Sequence, residues 1–336
     1  MKALTLSLIS AALLASTSFS ATADDKPTLT VYAYDSFVAE WGPGPAIKKG
    51  FEETCGCTVT YVAPGDATET FNRVRLEGKN TKADILVGLD SNLVADAEKS
   101  GLFEAHGLTT DHLSLPIDWD ASTYMPFDWG YFAFVYDSNK VEDAPKSFDE
   151  LLNAPEDLKI LIQDPRSSTP GLGLLLWIKD VYGDKAGEVW AKLAPRIVTV
   201  TKGWSEAYGM FLEGQAQMVL SYTTSPAYHI VAEEKTNYHA AAFADGHYMQ
   251  VELAAITKAS AHKDLAKSFL AYLTGPAAQK VIPTTNWMYP VALDKAELPE
   301  AFGTLVQPDK ARLIAPKDVP SIRREALDEW LSALSQ

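Results

Sequence analysis

The sequence predicts an α/β protein built from two lobes, and three observations lead to this expectation. Strand-like runs rich in β-branched and aromatic residues alternate with helix-like runs along most of the chain. A long aromatic segment over residues 124–136 is typical of a strand that runs between two lobes. The chain then returns near residues 244–252, so that at least two crossings join the lobes.

The first lobe begins with three strands, and each of them is followed by a helix. The strands are predicted over residues 29–34, 58–63 and 84–89, and the helices over residues 45–53, 66–77 and 93–99. In the second helix, Phe71, Val74 and Leu76 are expected to face the core, and Gly101 ends the third helix. This alternation predicts a mostly parallel sheet with helices on both faces.

A second α/β set follows the long aromatic segment, and the chain then returns to the first lobe. The second set has strands predicted over residues 159–163, 197–201 and 218–222, and helices over residues 147–152, 168–182, 184–193 and 204–213. A further helix is predicted to start at residues 223–226. The returning part has a strand over residues 248–257, helices over 262–273 and 279–282, an extended segment over 287–291 and a closing helix over 321–334.

The composition bounds the class of protein and its partners. The chain has 336 residues, of which 47% are apolar, and this fraction is far too high for a disordered acidic chain. Its formal net charge is −15, which argues against nucleic acid or an anionic membrane surface as a partner, because each would be repelled. The acidity is also what a solvated surface needs to stay soluble.

The N-terminus has the three parts of a secretory signal peptide. Lys2 supplies a positive charge, and residues 4–15 form an apolar stretch. This stretch is too short to span a bilayer, which takes about 20 residues. Ala21-Thr22-Ala23 is a small-residue cleavage site. We therefore expect residues 1–23 to be removed after Ala23 and the mature protein to be periplasmic.

The two cysteines, Cys55 and Cys57, are separated by a single glycine. Metal sites need more ligands than this pair offers, and no histidine lies nearby in the sequence. In an oxidising compartment the pair can close a local disulfide across the flexible Gly56. A redox role is the alternative interpretation.

Two hydroxyl clusters follow predicted strands and precede a proline at a helix start. They comprise Ser168 and Thr169 in one segment, and Thr223, Thr224 and Ser225 in the other. Ligands of α/β lobes bind beyond the carboxyl ends of strands, where free backbone N–H groups and hydroxyls favour a phosphate or another anion. Ordinary helix capping is the favoured explanation of either cluster alone, and it is the occurrence of two such clusters after strands that brings a ligand site into consideration.

Five aromatic residues fall at strand ends, helix starts or loops rather than on apolar faces. They are Tyr34, Trp204, Tyr222, Tyr228 and Trp287. Aromatic side chains in such positions can stack on a flat heteroaromatic or cationic ligand. The alternative is that they fill the seam between the lobes. Asp35, Asp66 and Asp90 are candidate counter-charges for a cationic ring, although most acids of so acidic a chain are solvated. His229 is either a ligand contact or a histidine on a helix surface.

Templates for catalysis and cofactor binding have no match in the sequence. It contains no G-x-S-x-G, H-E-x-x-H, Walker A or glycine-rich dinucleotide loop. The six histidines are scattered without the spacing of metal ligands. We therefore expect no catalytic residues, no metal site and no cofactor.

A set of segments, found in order along the chain, resembles the periplasmic thiamine-binding proteins of bacterial ABC importers. The segments are VYAYDSF, WGPGP, EGKN, ADILVGLDSN, PFDWGYFAFVYD, QDPRSSTPGLGLLLW, TVTKGWSEAYG, LSYTTSPAYHI and NWMYPV. The resemblance is clearest over residues 28–292 and becomes weak after Leu293.

The resemblance implies a type 2 periplasmic binding protein fold, with a ligand cleft between two lobes joined by a hinge. Lobe 1 is expected to comprise residues 24–122 and 250–336, and lobe 2 residues 123–249. It further implies a monomer that captures thiamine, thiamine monophosphate or thiamine diphosphate in the periplasm. Delivery to the ABC permease subunits in the inner membrane would follow lobe closure.

The resemblance also implies the residues of the ligand site. Near the hydroxyethyl or phosphate end it implies Ser168, Thr169, Tyr222, Thr223, Thr224 and Ser225, and around the rings it implies Tyr34, Tyr228 and Trp287. Trp204 matches another cleft residue, and Asp66 matches an acid that contacts the ligand. Ala67 stands where the family has glycine, so a contact that needs a positive φ would require a different loop here.

Two other functions remain to be weighed against this expectation. Ferric-ion carriers of the same fold use adjacent tyrosines as ligands, and the sequence has no Tyr-Tyr pair. A thiamine-degrading transferase that shares the fold uses a cysteine in the cleft as its nucleophile. Here Cys55 and Cys57 lie between the first helix and the second strand, away from the predicted cleft. We therefore expect a carrier and not an enzyme.

Overall fold

A computed structural model describes residues 26–335 of the chain, so the predicted signal peptide and its cleavage after Ala23 lie outside the described residues. The strands are β1 (Thr28–Tyr32), β2 (Thr58–Val62), β3 (Ile85–Asp90), β4 (Phe103–Glu104), β5 (Met125–Asp137), β6 (Ile160–Gln163), β7 (Ile197–Thr201), β8 (Met218–Tyr222), β9 (Tyr238–Ala240), β10 (His247–Thr257), β11 (Tyr289–Pro290) and β12 (Ala311–Arg312).

The α-helices follow the strands of each lobe. They are α1 (Asp35–Val38), α2 (Gly44–Cys55), α3 (Ala67–Glu77), α4 (Val94–Ser100), α5 (Phe148–Asn153), α6 (Thr169–Tyr182), α7 (Ala186–Leu193), α8 (Trp204–Leu212), α9 (Pro226–Ala232), α10 (Lys263–Leu273), α11 (Pro276–Gln279), α12 (Ile282–Thr285) and α13 (Val319–Leu334). Short 3₁₀ helices cover Gly78–Asn80, Gly183–Lys185, Ala194–Arg196, Lys295–Glu297 and Glu300–Thr304. No helix within residues 26–335 is long and apolar enough to cross a membrane.

The strands form two connected sheets, one in each lobe. Their order is β2-β1-β3-β10-β5 in the first sheet, which continues as β5-β8-β6-β7 into the second. Within each lobe the strands that are linked by helices pair in parallel, namely β1 with β2 and β3, and β6 with β7 and β8. The long strands β5 and β10 are antiparallel to each other, and they pair antiparallel with β8 and β3 respectively, whereas the short strand β12 pairs with β10 in parallel. The expectation of a mostly parallel sheet is therefore wrong, and the sheet is mixed.

The two predicted crossings are the strands β5 and β10. β5 pairs with β10 through residues 125–131 and with β8 through residues 132–136, so it runs out of one sheet into the other. β10 returns beside it and pairs with β3. Strands that carry the chain out and back run in opposite directions, which is why they pair antiparallel.

The closing helix α13 contacts both lobes. It packs against α6 and α7, where Lys179 Nζ lies 2.9 Å from Glu325 Oε1 and 2.7 Å from Glu329 Oε1. On the other side, Arg323 forms a salt bridge with Asp96 of α4. The predicted boundaries between lobe 1 and lobe 2 remain a prediction.

The helix α3 buries one face, as its apolar spacing predicts, with one correction. Phe71 and Val74 are buried in the core, whereas Leu76 is 86% exposed. At 3.6 residues per turn, Leu76 lies about 200° around the helix from Val74, so it points away from the core. The prediction that Leu76 faces the core is therefore wrong.

Cys55 and Cys57 form a disulfide between the end of α2 and the start of β2. Gly56 between them has φ of 62°, in the left-handed region that ends many helices. The disulfide therefore fixes the turn from helix to strand, as expected for a local staple.

Candidate ligand-binding site

A cavity of about 450 Å³ lies between the two lobes. Nine of the predicted site residues line it, namely Tyr34, Asp66, Ala67, Thr169, Trp204, Tyr222, Ser225, Tyr228 and Trp287. Further lining residues are Ser36, Trp41, Pro170, Ser205, Tyr208, Gly209, Leu212, Ala232, Glu252, Thr284, Asn286 and Met288. The lining combines aromatic rings with a few polar groups, as is common in sites for small organic ligands.

The lining side chains are held at strand ends and helix starts. Tyr34 follows β1 and precedes α1, and Tyr222 is the last residue of β8. Asp66 is the N-cap of α3, where its Oδ1 accepts a hydrogen bond from the Ala67 N–H at 2.7 Å. Trp204 is the first residue of α8. Because the strands of each lobe end toward the other lobe, these groups from distant parts of the sequence face one cavity.

Three of the predicted residues do not reach the cavity surface. Ser168 is the N-cap of α6, and its hydroxyl is buried without a hydrogen bond among the described residues. Thr223 uses its backbone N–H to bond the Tyr131 carbonyl at 2.8 Å. The Thr224 hydroxyl lies 3.9 Å from Met288 Sδ. The structure therefore places these three side chains behind the cavity wall.

Ala67 needs no unusual backbone conformation in this site. It is the first residue of α3, and among residues 26–335 only Glu234 and Trp287 combine a side chain with a positive φ. The alanine therefore fits the site without backbone strain, where the resemblance implies a glycine.

Aromatic rings form two walls of the cavity. On one wall Trp204 stacks on Tyr208, with ring centroids 4.9 Å apart and an interplanar angle of 24°. Trp41, which is 52% exposed, lies 6.0 Å from Trp204 and belongs to the other lobe. On the second wall Tyr228 meets Trp287 edge to face at 5.4 Å. A flat ring can stack between such walls.

Trp287 has a strained backbone. Its φ is 56°, which is uncommon for a residue with a bulky side chain. Its N–H donates to the Ile282 carbonyl at 3.0 Å, so the end of α12 holds this conformation. Strained residues cluster at functional sites, where the surrounding structure fixes a side chain that would otherwise turn away.

Buried polar groups form the floor of the cavity. The Tyr34 hydroxyl donates to Glu252 Oε2 at 2.6 Å. Asn286 Nδ2 donates to the Tyr34 hydroxyl at 3.1 Å and to Asp128 Oδ2 at 2.6 Å. Gln250 Nε2 donates to Glu252 Oε1 at 2.7 Å. Of the two carboxyl groups in this network, Glu252 lines the cavity and Asp128 does not.

Burial makes the acids around the cavity weaker than they are in water. It raises the pKa of Asp66 to about 6 and the pKa of Glu252 to about 7. Burial is also the main reason why the pKa of Asp128 lies well above its usual range, and the adjacent Glu252 raises it further. Within residues 26–335 no group of histidines, cysteines and acids has the arrangement of a metal site. A positive charge placed beside these carboxyl groups would favour their ionised form.

Direct contacts join the two lobes at the edge of the cavity. Asp66 Oδ2 accepts a hydrogen bond from the Trp204 N–H at 3.1 Å, and the Thr169 hydroxyl donates to Asp90 Oδ2 at 2.8 Å. Nearby, Lys202 Nζ lies 2.8 Å from Glu69 Oε2. The described conformation is thus a closed one, in which α3 and β3 of one lobe touch α6 and α8 of the other.

His229 neither contacts the cavity nor lies on a helix surface, the two positions that the sequence suggested. It is fully buried, does not line the cavity, and stands in a chain of hydrogen bonds. Its Nε2 lies 2.9 Å from the Tyr208 hydroxyl, and its Nδ1 lies 2.7 Å from Glu233 Oε2. Burial lowers the pKa of His229. The chain supports Tyr208, which in turn supports Trp204.

Among the lining residues that were not predicted from the sequence are Trp41, Tyr208, Glu252 and Asn286. Glu252 carried a signal, since it is an acid inside a strand whose other residues are mostly apolar, and buried acids need partners. Asn286 directly precedes the predicted Trp287. No sequence pattern marked Trp41 as a lining residue, because its contact with Trp204 depends on how closely the two lobes approach each other.

Comparisons with known proteins give this cavity a context. Residues 32–280 match the family described as bacterial extracellular solute-binding protein. The chain is 53% identical over 311 residues to the thiamine-binding periplasmic protein of Escherichia coli strain K12, an alignment that covers 93% of this chain and 94% of that protein. It is 50% identical over 331 residues to the thiamine-binding periplasmic protein of Brucella suis biovar 1, covering 98% of this chain and 99% of that protein.

A solved structure agrees with these sequence relationships. The structure described as a periplasmic thiamin binding protein superposes with a TM-score of 0.90 and 53% identity. The superposition covers 93% of this chain and 97% of that chain. The similarity therefore extends over both lobes and the cavity between them.

Proposed function

The chain belongs to the bacterial extracellular solute-binding proteins, and on that premise we propose that it captures thiamine for an ABC importer. The family consists of transport proteins and not of enzymes, and it has the two-lobed α/β fold with the ligand cleft between the lobes. The similar proteins of Escherichia coli and Brucella suis are thiamine-binding periplasmic proteins. Their names support both the ligand and a periplasmic location for this chain.

The observation that carries the proposal is a cavity with aromatic walls and a carboxyl group in its floor. Thiamine joins a flat aminopyrimidine to a permanently cationic thiazolium ring. Trp204 and Trp287 both line the cavity and offer faces for stacking, and the thiazolium charge gains from aromatic faces as well. Glu252 and Asp66 supply negative charge to balance the cation.

We propose as ligand contacts the nine predicted residues that line the cavity, together with Glu252 and Asn286. Thiamine monophosphate and thiamine diphosphate would enter the same cavity, with their phosphates directed to the starts of α6 and α8. Thr169 and Ser205 line the cavity at these helix starts, where N–H groups and hydroxyls favour anions. In this proposal the protein is a monomer, is cleaved after Ala23, and delivers its ligand to the permease subunits.

Titration calorimetry with thiamine, thiamine monophosphate and thiamine diphosphate tests the proposal. We expect one ligand per protein, quenching of tryptophan fluorescence, and intact ligand on chromatography afterwards. Absence of binding heat with all three compounds would contradict the proposed ligand. Recovery of cleaved thiamine would instead indicate an enzyme.

Two variants and a control test the site itself. Trp287→Ala removes a stacking surface, and Asp66→Asn removes a charge that faces the cavity and joins the lobes. Each is expected to weaken thiamine binding at least tenfold, corresponding to about 1.4 kcal/mol. Trp119→Ala is the matched control, because Trp119 lies outside this cavity. Unchanged affinity in both site variants would contradict the site assignment and leave the fold untouched.

A further inference from the structure

Two buried carboxyl groups face each other in the floor of the cavity. Asp128 on β5 and Glu252 on β10 are directly opposite in the antiparallel register of these strands. Side chains in such positions have Cβ atoms about 4.5–5.5 Å apart. Asp128 is fully buried and Glu252 is 7% exposed, and Glu252 alone of the two lines the cavity. Water therefore screens the repulsion between them only weakly.

The hydrogen bonds of the pair leave one oxygen without a donor. Both oxygens of Glu252 accept hydrogen bonds, from the Tyr34 hydroxyl and from Gln250 Nε2. Asp128 Oδ2 accepts from Asn286, whereas Asp128 Oδ1 is buried and has no partner among residues 26–335. A buried carboxylate oxygen without a donor is costly. A proton on Asp128 Oδ1, directed to Glu252, removes this cost and the repulsion together.

The groups that surround the pair favour the proton as well. The titratable groups that act on it from neighbouring elements are Tyr34 after β1, Asp66 before α3, Asp90 at the end of β3 and Tyr222 at the end of β8. Within residues 26–335 neither Asp128 nor Glu252 forms a salt bridge with a lysine or arginine. The empty site thus lacks a positive charge that would hold both carboxyl groups ionised.

We propose that Asp128 and Glu252 share one proton in the empty site and release it to solvent when a cationic ligand binds. The inference rests on the proposed function, since thiamine supplies the cation. The O–H bond of the carboxylic acid breaks, the proton passes to water or buffer, and the thiazolium charge takes its place beside two carboxylates. The pair thereby selects for a cation, because a neutral ligand of the same shape leaves the proton in place.

Linkage gives the sign and size of the effect. If one proton leaves for each ligand bound, thiamine affinity rises as the pH rises, by up to tenfold for each pH unit while the pair still holds its proton. The dependence flattens only above the pKa at which the empty site loses this proton, and burial together with the repulsion from Glu252 raises the pKa of Asp128 well above its usual range. We therefore expect affinity to rise with pH across the range from about pH 6 to about pH 8.

Calorimetry of the full-length mature protein with thiamine, at about pH 6.5 in PIPES and in imidazole, measures the proton directly. These buffers differ in ionisation enthalpy, so a released proton makes the two observed binding enthalpies different. We expect a release that approaches one proton per thiamine. Equal enthalpies and a flat pH dependence, with one-to-one binding intact, would overturn the inference alone. Absence of any binding heat would contradict the proposed function, and the inference would fail with it.

Variants identify the source of the proton. Asp128→Asn removes one carboxyl group, and we expect the released proton to disappear while circular dichroism shows a folded protein. Asp157→Asn is the matched control, since it removes the same charge from an exposed position and should keep the release. Full release in Asp128→Asn would overturn the assignment. If Asp128→Asn does not fold, the wild-type comparison in the two buffers still decides the question.

Discussion

Gly88 leaves space for the ring of Tyr34, and its replacement by alanine should displace that ring within the ligand site. Gly88 has φ of 107°, and a Cβ built on it would lie 2.4 Å from Cδ1 of Tyr34. Carbon atoms in ordinary contact are about 3.5–4.0 Å apart, so the ring would have to move by more than about 1 Å. The Tyr34 hydroxyl would then lose its 2.6 Å hydrogen bond to Glu252.

The expected loss of stability in Gly88→Ala has two parts. A hydrogen bond to a charged group is worth about 1.5–3 kcal/mol, and a side chain forced into this backbone region costs about 1–3 kcal/mol. Together they predict that the free energy of unfolding falls by about 2.5–6 kcal/mol. Thiamine affinity should fall as well, because Tyr34 lines the cavity.

Urea unfolding followed by circular dichroism, together with calorimetry with thiamine, tests this prediction. Gly187→Ala is the control, because a Cβ there would only make ordinary contact with Glu329 at 3.6 Å. It should leave thiamine binding unchanged and not destabilise the protein. Tyr34→Phe isolates the lost hydrogen bond from the displaced ring. An unfolding free energy within about 1 kcal/mol of the wild type, with equal thiamine affinity, would show that Gly88 does not determine the position of Tyr34.

Three further predictions concern the cavity and its acids. Trp287→Gly should be about 1 kcal/mol more stable to urea than Trp287→Ala, because φ is 56° there, and the opposite order would contradict the strain. Trp41→Ala should accelerate thiamine dissociation several-fold in stopped-flow fluorescence, because Trp41 meets Trp204 at the cavity edge, and an unchanged rate would exclude that role. The free energy of unfolding of the ligand-free protein should fall as pH rises from about 4 to 7. In the folded state burial raises the pKa of Asp66 and Asp90 to about 6 and the pKa of Glu252 to about 7. These carboxyl groups therefore keep protons that the unfolded chain has released. Urea midpoints across this range measure the effect in the wild type, and Glu252→Gln should flatten its upper part.

Local sequence signals predicted most helices and strands, because each of these elements is determined by residues that are close together in the sequence. The apolar spacing of α3 and the glycine after α4 act within one or two turns of helix. Strand pairing between β5 and β10 joins segments about 120 residues apart, and no local period encodes it. The antiparallel direction of these strands therefore could not be read from the alternation of strands and helices.

The same distinction applies to the site. Tyr34, Asp66 and Trp204 were found because strand ends and helix starts can be located in a sequence. Whether the hydroxyl of Thr224 faces the cavity depends on the conformation of the turn between β8 and α9. The sequence does not determine that conformation. Glu252 could have been predicted from its charge in an apolar strand, whereas its partner Asp128 became visible only through the register.

The position of Asp128 and Glu252 on β5 and β10 has a consequence for retargeting the protein to other cargo. Residues such as Trp204 and Tyr228 stand on helices within one lobe, so they can be exchanged without touching the strands that join the lobes. The acid pair lies on those strands, next to a register shift between Glu252 and Leu253. Adapting the protein to a neutral ligand would therefore require changes to the acid pair and to the strands β5 and β10 at the same time.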